Sequence, residues 1–150
     1  MTAVRRPEVT GARDALPIAV GIVPFGVVAG ASAVDKGYGI PGAIGFSTIV
    51  FAGASQLAAM DLLSGGSGVA LAVATAWLIN LRLVMYSAAL SPWLGHVSLS
   101  RRLGAAYVLT DQSFALSVTR YEAELPREHR LRYYLGVAVL LWAVWQEMIK

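Results

Sequence analysis

Residues 69–90 read VALAVATAWLINLRLVMYSAAL, an apolar stretch interrupted near its middle by Asn80 and Arg82. At about 1.5 Å per residue, a helix of this length spans the hydrocarbon core of a bilayer, which is about 30 Å thick. A charge at the bilayer centre costs about 2.5–3.5 kcal/mol, so it is retained where it is paired, faces a water-filled cavity or serves a function. The stretch therefore predicts a membrane-spanning helix with functional polar groups.

The composition of the whole chain agrees with a membrane protein, because 57% of the residues are hydrophobic and only 14% are charged. A soluble domain has about 25% charged residues. The basic residues cluster at the ends of apolar segments, so nucleic-acid binding is not expected. The chain has no Cys, and its two histidines, His96 and His129, lie in separate polar connections. We therefore expect no metal site, no cofactor and no enzymatic activity.

Four further apolar segments accompany residues 69–90. Ala15–Val34 is free of charge over twenty residues, which favours a retained helix over a secretory signal, whose apolar core is about 7–15 residues long. The last segment, Tyr133–Gln146, would be about 21 Å long as a helix, too short to cross a bilayer. The sequence predicts an all-α, polytopic integral membrane protein with about four transmembrane helices and an incomplete fifth, from the segments 15–34, 42–60, 69–90, 103–119 and 133–146.

The arrangement of charge predicts the domain limits and the orientation. Residues 1–13 form a polar tail, disordered or interfacial, and residues 14–150 form the membrane domain. Three arginines precede the first apolar segment and four lie in residues 120–132, so the positive-inside rule places the N-terminus and that connection in the cytoplasm. Because the sequence stops within an apolar run, we expect a truncated product or a fragment.

The first apolar segment contains two prolines and a pair of spaced glycines. Pro17 and Pro24 each remove a backbone donor, and Gly26 and Gly30 form a GxxxG pattern that permits close helix approach. These residues indicate either a broken helix that lines a substrate path or a kinked, tightly packed helix.

Polar residues in the next segments are candidates for a substrate path. Ser55 and Gln56 follow Gly53 in an apolar setting, where they could recognise the carboxylate or ammonium of an amino acid, or link helices for about 1 kcal/mol. Helical phase places Arg82 and Tyr86 opposite Asn80. Arg82 could contact a substrate carboxylate, pair with an acidic residue or reach the membrane interface.

The fourth segment places Asp111 near its middle, on one predicted helical face with Tyr107, Thr110, Ser113 and Ser117. A polar face on an apolar helix needs a wet or protein neighbour. Asp111 could carry a proton during transport or act as a fixed countercharge for the arginine of the preceding segment.

Four motifs occur in an order and at spacings that resemble the AzlC-type branched-chain amino-acid permeases: ALPI with PFG (residues 15–18 and 24–26), FAGASQ (51–56), NLR with YSAALSP (80–82 and 86–92), and LTDQSFAL (109–116). The resemblance implies the larger subunit of a bacterial exporter of valine, leucine, isoleucine and sometimes methionine, in the cytoplasmic membrane. It also implies a small AzlD-type membrane partner. Leu83 and Gln112 depart from the residues that many members carry, His and Glu respectively.

The leading hypothesis is a secondary transporter subunit with a substrate path near the membrane midplane. The alternative is a small non-transporting membrane protein, a remnant or a helix-packing partner. The predicted path consists of Gly53, Ser55, Gln56, Asn80, Arg82, Tyr86, Thr110, Asp111 and Gln112.

Overall fold

The computed structural model describes residues 6–123 and 125–149, and all regular structure within them is helical. This confirms the predicted all-α fold. The helices in these two ranges are α1 (Pro7–Asp35), α2 (Gly39–Ile49), α3 (Gly53–Ser64), α4 (Val69–Leu94), α5 (Leu99–Tyr107), α6 (Asp111–Glu122) and α7 (Arg127–Ile149).

Two of these helices, α1 and α4, are long and apolar enough to cross a membrane. They correspond to the first and third predicted segments. The predicted second and fourth segments are wrong as single helices, because each is interrupted. α2 gives way to α3 around Phe51 and Ala52, and α5 gives way to α6 around Thr110. Apolar composition gave no sign of these breaks, since a continuous and an interrupted helix can have the same mean hydropathy.

Of the two alternatives for the first segment, the broken helix is wrong. α1 continues through Pro17 and Pro24, and α4 likewise continues through Pro92. A proline removes one hydrogen bond, and neighbouring groups in a membrane helix can compensate for that loss. Residues 7–13 of the predicted tail belong to α1, which begins at Pro7, a favourable residue for the first helical position. Residues 1–5 lie outside the described ranges.

The chain divides into two compact units, and α1, α4 and α7 each contribute to both. The α5–α6 unit comprises the residues up to Val20 together with Leu83–Ala143. The α2–α3 unit comprises Gly21–Arg82 and the residues from Val144 onward. Both units contain a short helix, a three-residue interruption, a twelve-residue helix and the start of a longer helix at the same spacing.

The burial pattern is the reverse of that in a soluble protein. Small residues such as Ala72 and Ala76 form the buried face of α4, while Trp77 is 76% exposed and its neighbour Leu78 is also exposed. Soluble monomers rarely expose apolar patches of this extent, whereas membrane helices contact each other through small residues. The exposed apolar side chains therefore face lipid or another membrane helix.

Glycines permit the closest helix contacts within the α5–α6 unit. A Cβ atom on Gly11 would overlap the backbone carbonyl oxygen of Tyr133, and one on Gly136 would overlap that of Glu8. α1 and α7 are thus in backbone contact here. Beside this contact the Tyr133 hydroxyl donates to Asp14 Oδ2 at 2.7 Å, which links the same two helices.

We expect Gly11→Ala to destabilise the chain by about 1–3 kcal/mol, because the added methyl group would push α1 away from the backbone of α7. Gly21→Ala is the matched control on the same helix, since a Cβ there meets no atom within 4 Å. Thermal unfolding in detergent measures both variants. Equal unfolding temperatures for the two would contradict the close contact.

Candidate functional site

The interruption in the α2–α3 unit has an unusual backbone. Phe51 has a φ of 36°, in the left-handed region that a bulky side chain seldom adopts. Ala52 is extended, with φ −150° and ψ 105°, and α3 begins at Gly53. Such a conformation persists only where the surrounding structure holds it in place. Residues of this kind are found most often at ligand and active sites. The sequence thus places a stable bend at the FAGASQ motif.

Two aromatic rings pack directly on the first residue of α3. A Cβ atom on Gly53 would overlap Phe25 and would lie 2.7 Å from Trp145 Cη2. The two rings contact each other, with centroids 5.8 Å apart and an interplanar angle of 40°. Only glycine at this position lets α1 and α7 place these rings against the interruption.

Several polar side chains are buried in the same unit. Ser55 donates to the carbonyl oxygen of Ala52 at 2.9 Å, so its hydroxyl hydrogen stabilises the interruption. Ser47 donates to Gln146 Oε1 at 3.0 Å, joining α2 to the end of α7. Gln56 is fully buried, and neither polar atom of its side chain has a hydrogen-bond partner within the described residues. Burying a carboxamide without a partner is costly, so Gln56 is suited to a polar ligand.

The interruption in the α5–α6 unit is closed by its own side chains. Thr110 is extended, its Oγ1 accepts from the backbone N–H of Ser113 at 3.2 Å, and Ser113 Oγ accepts from the N–H of Thr110 at 2.9 Å. This reciprocal pair is a capping box. Asp111 and Gln112 follow as the first two residues of α6, where an acidic side chain is favoured by the helix dipole.

The predicted polar face of the fourth segment is only partly realised. Ser113 and Ser117 are fully buried on α6, but Tyr107 lies on α5 and is half exposed. The prediction treated the segment as one helix, and the interruption breaks the helical phase between Tyr107 and Asp111. Tyr86 stacks on Phe114 with ring centroids 4.4 Å apart, which fixes α4 against α6.

A cavity of about 210 Å³ lies within the α5–α6 unit. Ser87 and Ser91 of α4 line it together with Arg102, Leu109 and Tyr134. The Tyr134 hydroxyl donates to the carbonyl oxygen of Ala105 at 2.7 Å. Ser87 and Ser91 of α4 therefore face a cavity.

Asn80 and Arg82 both belong to the α2–α3 unit, on α4. Asn80 Oδ1 is buried without a hydrogen-bond partner in the described part of the chain. Asp111 belongs to the α5–α6 unit, and pairing of Arg82 with Asp111 stays a prediction.

Sequence reasoning missed three residues of the α2–α3 unit: Ser47, Trp145 and Gln146. Gln146 was treated as the end of an apolar run, although a glutamine in an apolar segment is also the signal that singled out Gln56. No sequence pattern links Ser47 to Gln146, since the two are 99 residues apart.

The helices, the exposed apolar side chains and the buried polar interruptions define a helical membrane protein. The sequence profile described as "AzlC protein" matches residues 17–148, and the chain belongs to this family. It is 30% identical to the inner membrane protein YgaZ of Escherichia coli (strain K12) over 139 aligned residues. The aligned region covers 90% of this chain. The chain spans 55% of the length of that relative. No solved structure shows a significant match.

We expect Gly53→Ala to destabilise the chain by about 1–3 kcal/mol, because Phe25 and Trp145 occupy the space of the new methyl group. Adding Phe25→Leu should recover part of that loss, which thermal unfolding of the two single variants and the double variant would measure as a coupling energy. Gly45→Ala in α2 is the control, since a Cβ there meets no atom within 4 Å. Strictly additive effects of Gly53→Ala and Phe25→Leu would rule out the contact.

Proposed function

We propose that the chain is a subunit of a bacterial secondary transporter that exports branched-chain amino acids, namely valine, leucine, isoleucine and sometimes methionine. Membership of the AzlC family supports a membrane transporter. The observation that carries the proposal is the interruption at Phe51–Gly53, where a half-length helix begins beside a fully buried glutamine. Discontinuous helices with such ends form the substrate sites of many secondary transporters.

The neutral chemistry of this interruption favours a small zwitterionic substrate with an apolar side chain. Gln56 offers both a donor and an acceptor, and Phe25 and Trp145 provide an apolar wall. The proposed path retains all nine predicted residues. Their elements are α3 for Gly53, Ser55 and Gln56, α4 for Asn80, Arg82 and Tyr86, and the start of α6 for Thr110, Asp111 and Gln112.

The proposal includes a small AzlD-type membrane subunit as partner and a multi-pass location in the bacterial cytoplasmic membrane, with the N-terminus in the cytoplasm. The relative YgaZ is described as an inner membrane protein. The positive-inside bias of residues 1–13 and 120–132 supports the orientation. The largely exposed apolar face of α4, which includes Trp77 and Leu81, supports a membrane partner.

That same exposed face of α4 favours a second candidate function. A chain that exposes many large apolar side chains could serve only to pack against other membrane helices, without transport. This alternative needs no accessible polar site. It predicts that changes at buried polar residues alter stability and leave substrate movement untouched.

Efflux of valine from cells loaded with a valine dipeptide tests the transport proposal. The experiment uses a full-length family member, produced with its small partner and changed at the positions of Arg82 and Asp111. We expect Arg82→Ala and Asp111→Asn each to lower the initial efflux rate at least about tenfold, equivalent to about 1.4 kcal/mol, because each removes a charge from the path.

Arg101→Ala serves as the matched control, because it removes an exposed arginine of α5 that is not in the proposed path. Immunoblots of the membrane fraction confirm equal amounts of each variant. Unchanged efflux in the Arg82 and Asp111 variants would reject the path residues. A complete lack of efflux in the unmodified pair would favour the packing alternative.

A further inference from the structure

Gln56 is directed toward the start of α3. In an α-helix the Cα–Cβ bond tilts toward the N-terminus, so a long side chain in the first turn lies over the preceding turn. Gln56 is the fourth residue of α3, and its backbone N–H already bonds the carbonyl oxygen of Ala52 at 2.9 Å. The side chain that carries this buried carboxamide, which has no partner in the described ranges, therefore leans toward the helix start at Gly53.

In α3 and the end of α7, most of the buried polar atoms without a partner in the described residues are donors, whereas α4 contributes the acceptor Asn80 Oδ1 to the same unit. α3 and the end of α7 contribute Gln56 Nε2, Gln146 Nε2 and Trp145 Nε1 as donors, against Gln56 Oε1 as an acceptor. Gln146 is 9% exposed, and its Oε1 is already used by Ser47. A surplus of buried donors needs a ligand group that is rich in acceptors, and a carboxylate offers up to four acceptor positions.

The helix start adds to the same preference. The first N–H groups of an α-helix have no intrahelical acceptor, and they carry a partial positive charge. At α6 these groups meet the capping box of Thr110 and Ser113. At α3 the N-cap position is Ala52, which provides no side-chain cap. Of the two interrupted helices, α3 is the one whose start can accept an anionic group from a ligand.

We propose that the start of α3, together with Gln56, Gln146 and Trp145, is the subsite that binds the carboxylate of the transported amino acid. This assignment rests on the proposed function, since it places one end of that substrate. It assigns recognition roles to Gln146 and Trp145, and it makes Ser47 a positioning residue that orients the Gln146 carboxamide. It also distinguishes this subsite from Arg82, the other candidate for the carboxylate.

Binding of valine and of valinamide to the chain in lipid nanodiscs tests the subsite, because valinamide keeps the side chain and the ammonium group but lacks the carboxylate. We expect valine to bind at least about tenfold more tightly, because hydrogen bonds to a charged group are stronger than those to a neutral group. Gln56→Leu and Gln146→Leu should each weaken valine binding about tenfold and leave valinamide binding nearly unchanged. Gln56→Glu should weaken valine binding further, because its carboxylate repels that of valine.

Thr48→Val is the matched control in α2, since the Thr48 hydroxyl bonds the carbonyl oxygen of Ile44 in its own helix. This variant should keep the preference for valine, whereas Ser47→Ala should reduce it by weakening valine binding. Thermal unfolding in nanodiscs identifies any variant that does not fold. If a leucine variant does not fold, the subsite is tested by Gln56→Glu and by comparing valine with valinamide on the unmodified chain.

Equal binding of valine and valinamide by the unmodified chain would overturn the subsite while leaving the proposed function intact. Loss of the preference in Arg82→Gln, with both glutamine variants unaffected, would also overturn it and move the carboxylate to Arg82. Absence of valine binding to the unmodified chain would remove the proposed function and the subsite together.

Discussion

The structure depends on one constraint, that backbone N–H and C=O groups in apolar surroundings must find partners within the protein. Each unsatisfied group costs several kcal/mol where water is excluded. α1 and α4 meet this constraint as continuous helices, even through Pro17, Pro24 and Pro92. At the two interruptions the helical hydrogen-bond pattern stops. The backbone groups there need partners supplied by residues or ligands nearby. How each interruption supplies these partners determines what it can bind.

The two interruptions share a backbone plan and differ in chemistry. In both, an extended residue precedes a twelve-residue helix, and the third residue of that helix is a buried serine that donates to the carbonyl of the extended residue. Asp111 occupies the place of Gly53, and Phe114 that of Gln56. One unit thus has an acidic, self-capped helix start beside a stacked tyrosine. The other has a neutral, uncapped start beside carboxamides.

The sequence predicts the helical class well and the interruptions poorly. Charge-free segments such as Ala15–Val34 specify a membrane helix by length and composition, and those two quantities are unchanged when a helix is divided. The sequence signals that mark an interruption within an apolar segment are local. Thr110 and Ser113 have the spacing of a capping box, although serine is not the usual third helical residue of that motif. Gly53 becomes meaningful only when the rings of Phe25 and Trp145 are brought to it from distant parts of the chain.

The candidate site is likewise only partly predictable from the sequence. A buried glutamine can be suspected from sequence, and Gln56 was, because it stands in an apolar segment beside small residues. Its companions could not be found in that way, because Ser47, Trp145 and Gln146 are united only by the packing of α7 against α2 and α3. Long-range contacts of this kind depend on which small residues let two helices approach, and that information is distributed over several segments.

Packing and recognition cannot be separated at Gly53. The rings of Phe25 and Trp145 pack on the interruption because Gly53 has no Cβ, and there they place apolar surface beside the start of α3. Apolar surroundings lower the local dielectric, which strengthens hydrogen bonds and charge interactions made there. The indole N–H of Trp145 is buried without a partner in the described residues. The groups packed on the α3 start are therefore uncharged aromatic rings of α1 and α7, whereas the charged residues Arg82 and Asp111 lie on α4 and at the start of α6.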